Sequence, residues 1–144
     1  MGLRNGFDEN VNENVNENEK GNKMKQSARN FHNYQVGQDA VAFATLVYET
    51  TSLLPSFEKR GLCDQLQRAV VSISSNIAEG AGRPTDADFA HFLDLSLGSS
   101  NEVETQLLIS KNLRYITNDQ YDNLMVKLIE IQKQLTGLIA SIRK

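Results

Sequence analysis

From about Tyr34 the apolar residues fall into step with a helix. Ala40, Phe43, Val47, Thr50 and Leu54 alternate spacings of three and four, and Val36, Ala44, Leu46 and Leu53 widen the face. Pro55 closes this helix, because the residue before a proline is pushed out of the helical region. The short run to Gly61 lets a second helix lie beside the first, with Phe57 expected to cap that end of the molecule. The second helix spans Leu62 to Gly82 and points Leu66, Ala69, Val70, Ile73 and Ile77 at a core. Beside them runs a polar row, Arg68, Ser72, Asn76 and Glu79, at the same helical spacing. Gly80-Ala81-Gly82 reads as its C-cap and turn.

After Arg83-Pro84, Thr85 is a good N-cap, and Asp86 and Asp88 place acid where the helix dipole favours it. The third helix carries Phe89, Phe92, Leu93, Leu97, Val103, Leu107 and Leu108 to about Leu113. Its apolar residues lie on more than one side, which implies burial in a bundle and against another subunit. Gly98-Ser99-Ser100, in mid-helix, would let another backbone come close. Thr117 and Gln120 have the form of a capping box. Behind it Tyr121, Leu124, Leu128, Ile131, Leu135, Leu138 and Ile142 make the cleanest seam in the chain. Four long helices, short connections and no strand signal predict an all-α fold, an antiparallel up-down-up-down four-helix bundle over residues 30–144.

The front of the chain is different. Residues 1–29 hold an Asn/Glu repeat with no face to bury, so a disordered extension is expected, and Met24 is a candidate alternative start. The repeat also carries much of the acid. Of 15 basic and 18 acidic residues, three and five lie before Met24, leaving 15 − 3 = 12 and 18 − 5 = 13 for the rest. A domain so near neutral is not a strong non-specific polyanion binder, although a local basic patch remains open to it. At 144 residues and 40% apolar content the chain can bury one real core. The single cysteine, Cys63, excludes an intrachain disulfide and reads as a small semi-buried residue. No run approaches the ~20 apolar residues of a membrane span, and the first residues lack a signal peptide's apolar region. The expected location is the cytoplasm, with no membrane partner.

Polar residues facing a core need partners. If the second and third helices are antiparallel neighbours, Arg68 comes near Ser96 to Ser100, and Glu102 lies about one turn further. An Arg68–Glu102 pair, within a network of Arg68, Ser72, Asn76, Glu79 and Glu102 that fixes register and assembly, is the preferred reading over a carboxylate site. A hydrolase needs a nucleophile–base pair or a metal set. The two histidines, His32 and His91, stand in no such arrangement, and Asp94 beside His91 reads as a solvated face. Gly80–Gly82 lacks phosphate-loop spacing. The residues therefore point to no catalytic group, no metal and no cofactor. The basic residues group instead. Lys59 and Arg60 lie in the first connection, Lys111 and Arg114 about the third, so with alternating helices both pairs share one end.

The run Gln65-Leu66-Gln67-Arg68 through Asn76-Ile77-Ala78-Glu79-Gly80, then Arg83, Phe89, Phe92-Leu93 and Leu97-Gly98-Ser99 with Glu102, Glu104 and Gln106-Leu107, resembles the four-helix-bundle family of 23S rRNA intervening-sequence proteins. That family includes the accessory variability proteins of diversity-generating retroelements. The resemblance covers roughly Asn30 to the C-terminus. It implies a bundle assembled as a barrel-like homopentamer. Through its retroelement members it implies RNA or DNA and a reverse transcriptase as partners, bound by a basic surface, here Lys59, Arg60, Lys111 and Arg114. Two features depart from the family. Gly37 stands where an aromatic, typically Trp, is common, and the retroelement members are clearly basic. The expected function is a non-enzymatic accessory protein that binds RNA or a nucleic-acid/reverse-transcriptase complex. The alternative is an oligomeric structural or protein-interaction module with no nucleic-acid role.

Overall fold

A computed structural model describes residues 29–144. Met24 and all but the last residue of the Asn/Glu-rich extension lie outside the described residues. Within them the fold is all-helical, with no strand. Four long helices, α1 (Gln35–Thr51), α2 (Leu62–Ala81), α3 (Asp86–Asn112) and α4 (Asn118–Ile142), pack as a bundle, with short 3-10 turns at Phe31–Asn33 and Ser56–Glu58.

Local chemistry sets the helix ends. α1 stops at Thr51, three residues before the expected Leu54: ahead of Pro55 the chain tightens, and Ser52, Leu53 and Leu54 N donate to the carbonyls of Glu49, Thr50 and Thr51, three residues back instead of four. Thr85 Oγ1 accepts from Asp88 N at 3.1 Å, and Thr117 and Gln120 form both bonds of a capping box. At the end of α3, Tyr115 N donates to Ser110 O and Arg114 N to Lys111 O, both at 2.9 Å. This is a Schellman motif, and its left-handed position is filled by Arg114 at φ 63° rather than by glycine.

The core forms between successive helices. α1 packs on α2, α2 on α3 and α3 on α4, and α4 closes more loosely onto α1. Phe43, Leu66, Ile73, Leu93, Leu107 and Leu128 are among its fully buried side chains. Each such burial contributes about 1.5–3 kcal/mol. The α2–α3 contact is the most extensive, and small residues make it so. Ser96, completely buried, donates to Ile73 O at 2.8 Å. Gly80 and Ala81 remain helical and buried, so the turn begins only at Gly82. A Cβ on Gly80 would lie 2.7 Å from Phe92 Cβ and 3.2 Å from Phe89 O, so Gly80 is a close-approach residue. Gly98, where a close approach is expected from the sequence, has nothing within 4 Å of its Cβ direction.

α1 starts at Gln35 despite Gly37, because the Phe31 ring fills the space a larger residue would need: a Cβ on Gly37 would lie 2.7 Å from Phe31 Cε2. Tyr34 adds a second anchor, its ring 5.4 Å from that of Phe89. At the same end Arg29 pairs with Asp86, and Arg143 grips Asp94 at 2.5 and 3.2 Å. At the opposite end the first and third connections meet. Tyr115 donates its hydroxyl to Glu58 Oε2 at 3.0 Å, and the Phe57 and Tyr115 rings are 6.4 Å apart.

Candidate nucleic-acid interface

The contact of Phe57 and Glu58 with Tyr115 brings the two basic pairs to one end of the bundle. Lys59 and Arg60 follow the Ser56–Glu58 turn and are exposed. Lys111 lies in the last turn of α3, half-buried, with Nζ 4.6 Å from the centre of the Tyr121 ring. That contact holds the ammonium by its attraction to the ring face. Arg114 is exposed at the left-handed position after α3.

These cations lack carboxylate partners. Among the described residues Arg29, Arg68, Arg83 and Arg143 each pair with an acid, whereas Arg60 and Arg114, and the lysines beside them, do not. Glu58 is already engaged, by the Tyr115 hydroxyl at Oε2 and Leu62 N at Oε1. Asp64 in the first turn of α2 and Asp119 in the first turn of α4 are further acids at this end, and Asp64 is taken by Arg68. Burial of the hydroxyl, then the hydrogen bond to Glu58 and its negative charge, hold the Tyr115 pKa above its usual 10.0. Burial, and then the Glu58 charge, likewise raise the Cys63 thiol, which is buried and donates to Thr51 O at 3.6 Å. Such a thiol is not activated.

Phe57 does not cap the bundle. Phe57 is 77% exposed on the Ser56–Glu58 turn, whereas Leu54 and Ile116 near it in the two connections are buried. It is the residue that sequence reasoning places wrongly at this end. Its position between a proline turn and Lys59-Arg60 is the signal that points to it.

The polar row of α2 is divided among separate contacts. Arg68, 79% exposed, pairs with Asp64 one turn earlier at 2.9 Å and not with Glu102, because the neighbour on its own helix is nearer. Ser99 Oγ donates to Ser72 Oγ at 2.9 Å across the α2–α3 seam, and Asn76 donates to Ser72 O and Oγ. Glu79 pairs with Arg83 at 2.7 Å, whose guanidinium stacks 4.8 Å from the Phe92 ring centre. Arg68, Ser72 and Glu102 do share one open groove of about 360 Å³, together with Gln65, Ser99 and Gln106. Gln106 Oε1 is buried there with no hydrogen-bond partner among the described residues. No group of three metal-ligating side chains occurs among the described residues. No described helix is long and apolar enough to cross a membrane.

A family model described as 23S rRNA-intervening sequence protein matches residues 32–137. The chain belongs to this family. Its fold is also that of a solved relative, a protein of unknown function from the S23 ribosomal protein family of Bacteroides thetaiotaomicron. That crystal structure is 29% identical, covers 73% of this chain and 95% of its own, and has a TM-score of 0.69. Among curated proteins none matches this chain. In this member of the 23S rRNA-intervening sequence family, Ser72, Asn76, Gly80 and Ser99 meet at the α2–α3 seam. Asn76 and Ser72 bond to each other, Gly80 admits Phe89 and Phe92, and Ser99 closes on Ser72. These four residues act in packing, and the basic end lies apart from them.

Proposed function

We propose that the protein is a non-enzymatic accessory protein that binds RNA, or a nucleic-acid/reverse-transcriptase complex, through Lys59, Arg60, Lys111 and Arg114. The observation that carries this reading is the contrast among the described arginines: those elsewhere are spent on carboxylates, and Arg60 and Arg114 are not. Arg114 adds weight. A non-glycine residue in the left-handed region costs about 1–2 kcal/mol, and such a cost is retained where a side chain is needed. Free guanidiniums suit phosphate, which they can hold by two parallel bonds.

In this proposal the bundle is antiparallel, up-down-up-down, and assembles as a homopentamer in the cytoplasm. Pairings such as Ser96 with Ile73 and Arg143 with Asp94 support the alternating order. Exposed apolar side chains on several faces, Val126 at 71% among them, support association between copies. A ring would repeat the basic end and raise its avidity. This compensates for a domain close to neutral.

Binding of a labelled structured RNA, followed by anisotropy as salt is raised, tests the proposal. Measurable binding at low salt that weakens steeply with added salt is expected. An intact assembly that binds nothing at low salt favours the second reading, a structural or protein-interaction module. The open groove between α1 and α4, about 620 Å³ with Ala42, Leu46 and Val126 in its lining, is the observation that would then take precedence.

A further inference from the structure

We propose that Phe57 is a stacking platform for an unpaired nucleobase, and that the ligand of the basic end is single-stranded or looped nucleic acid rather than duplex. This rests on the proposed nucleic-acid role of that end and specifies its ligand.

An exposed phenylalanine is ordinary when it stands alone. Phe57 does not stand alone. It lies two and three residues before Lys59 and Arg60, and its ring meets Tyr115 edge-on at 6.4 Å and 75°, next to Arg114. It is the most exposed large apolar side chain among the described residues. The turn that carries it is fixed by Glu58 N to Pro55 O at 2.9 Å and Lys59 N to Ser56 O at 3.2 Å. Glu58, the acid nearest the ring in sequence, accepts from Tyr115 and Leu62 N and makes no ion pair with the cations around it. The result is an aromatic surface on a rigid turn, flanked on both sides by cations without acidic partners. Single-strand binders combine these two elements: cations follow the phosphates, and a ring receives a base whose own face is free. In a duplex both faces of every internal base are covered, so Phe57 would have nothing to stack on. The same ring–base chemistry serves RNA and DNA.

The test uses the full-length protein and three labelled probes: an unstructured oligoribonucleotide, the deoxy oligonucleotide of the same sequence, and a blunt RNA duplex. Phe57→Ala should weaken single-strand binding about tenfold, within the range found for base–aromatic stacking. It should leave duplex binding and the salt slope unchanged, because every cation that meets phosphate is still in place. Phe57→Trp should keep or improve single-strand affinity, and its circular dichroism should match the wild type. Equal loss on both single strands supports stacking alone, and loss confined to RNA supports stacking with the sugar also read. Single-strand affinity unchanged in Phe57→Ala overturns the inference while leaving the basic end intact. Equal weakening of single strand and duplex overturns it too, since the ring would then act on the shape of the turn. Failure of all three probes to bind wild-type protein at low salt overturns the proposed function and this inference with it.

Discussion

Tyr115 donates its hydroxyl to Glu58 Oε2 at 3.0 Å, and so joins the third connection of the bundle to the first. This one bond has two effects. It occupies one oxygen of the Glu58 carboxylate, and it sets the Tyr115 ring against Phe57. A tyrosine that must stay protonated to donate also links this end of the bundle to pH.

The sign of that linkage follows from the direction of the shift. Tyr115 and Tyr34 both lie above their usual 10.0, Tyr34 chiefly by burial, and Cys63 lies above 9.0. A group whose folded pKa is raised gives its full stabilisation below the unfolded value and loses it as pH rises through the folded one. Urea midpoints should therefore be unaffected by these groups from neutral pH to about pH 8, then fall progressively, first through Cys63 and then through the tyrosines. Tyr115→Phe should show a smaller alkaline loss than wild type. Identical alkaline profiles for the two proteins would show that Tyr115 has no part in the pH dependence.

Arg114→Gly should separate stability from function. Glycine relieves the left-handed penalty at φ 63°, so unfolding free energy should rise by about 1 kcal/mol. RNA affinity should fall, because a cation is removed. Arg114→Ala should lose the same affinity without the gain in stability. Urea unfolding beside an anisotropy titration checks both; a glycine variant no more stable than wild type speaks against strain at this position.

Two glycines should respond in opposite directions to alanine. At Gly80 the new methyl meets Phe92 Cβ and the Phe89 carbonyl, so Gly80→Ala should lose about 1–3 kcal/mol despite its better helix propensity. At Gly137 nothing lies within 4 Å, and Gly137→Ala should gain up to about 1 kcal/mol. Equilibrium urea denaturation measures both, and a Gly80→Ala protein as stable as wild type would deny the close approach.

Arg68→Ala isolates assembly from folding. The side chain is 79% exposed and holds only Asp64, an exposed pair worth at most about 0.5 kcal/mol. The variant should fold as well as wild type. If the α2–α3 groove meets a second copy, its oligomer should dissociate at higher concentration than wild type, as read by light scattering. An unchanged mass profile would place Arg68 outside any interface.

Where the pattern is local, the sequence reads correctly. The α4 seam buries Leu124, Leu128, Ile131 and Leu135, and Thr85 and Thr117 cap as their neighbours require. Partner choice across helices is less legible. The helical register carries Arg68 towards Glu102, but an acid one turn away on its own helix costs less chain ordering to engage. Ser96 has the polarity of an exposed residue and is completely buried, since its partner, Ile73 O, lies 23 residues away. Hydrophobicity alone assigns Phe57 to the interior, whereas the turn after Pro55 points it outward. The same geometry creates the candidate site, so the most informative residue is the one that pattern alone misplaces.

The central claim is that Arg60 and Arg114 hold phosphate. Its most direct test is the slope of log affinity against log salt for RNA, in wild type and in the Arg60→Ala/Arg114→Ala variant. If both arginines engage phosphates of a single strand, the slope should become shallower by about 1.4, roughly 0.7 for each guanidinium removed. A variant that binds RNA with the wild-type slope would contradict the claim and move the nucleic-acid surface elsewhere on the bundle.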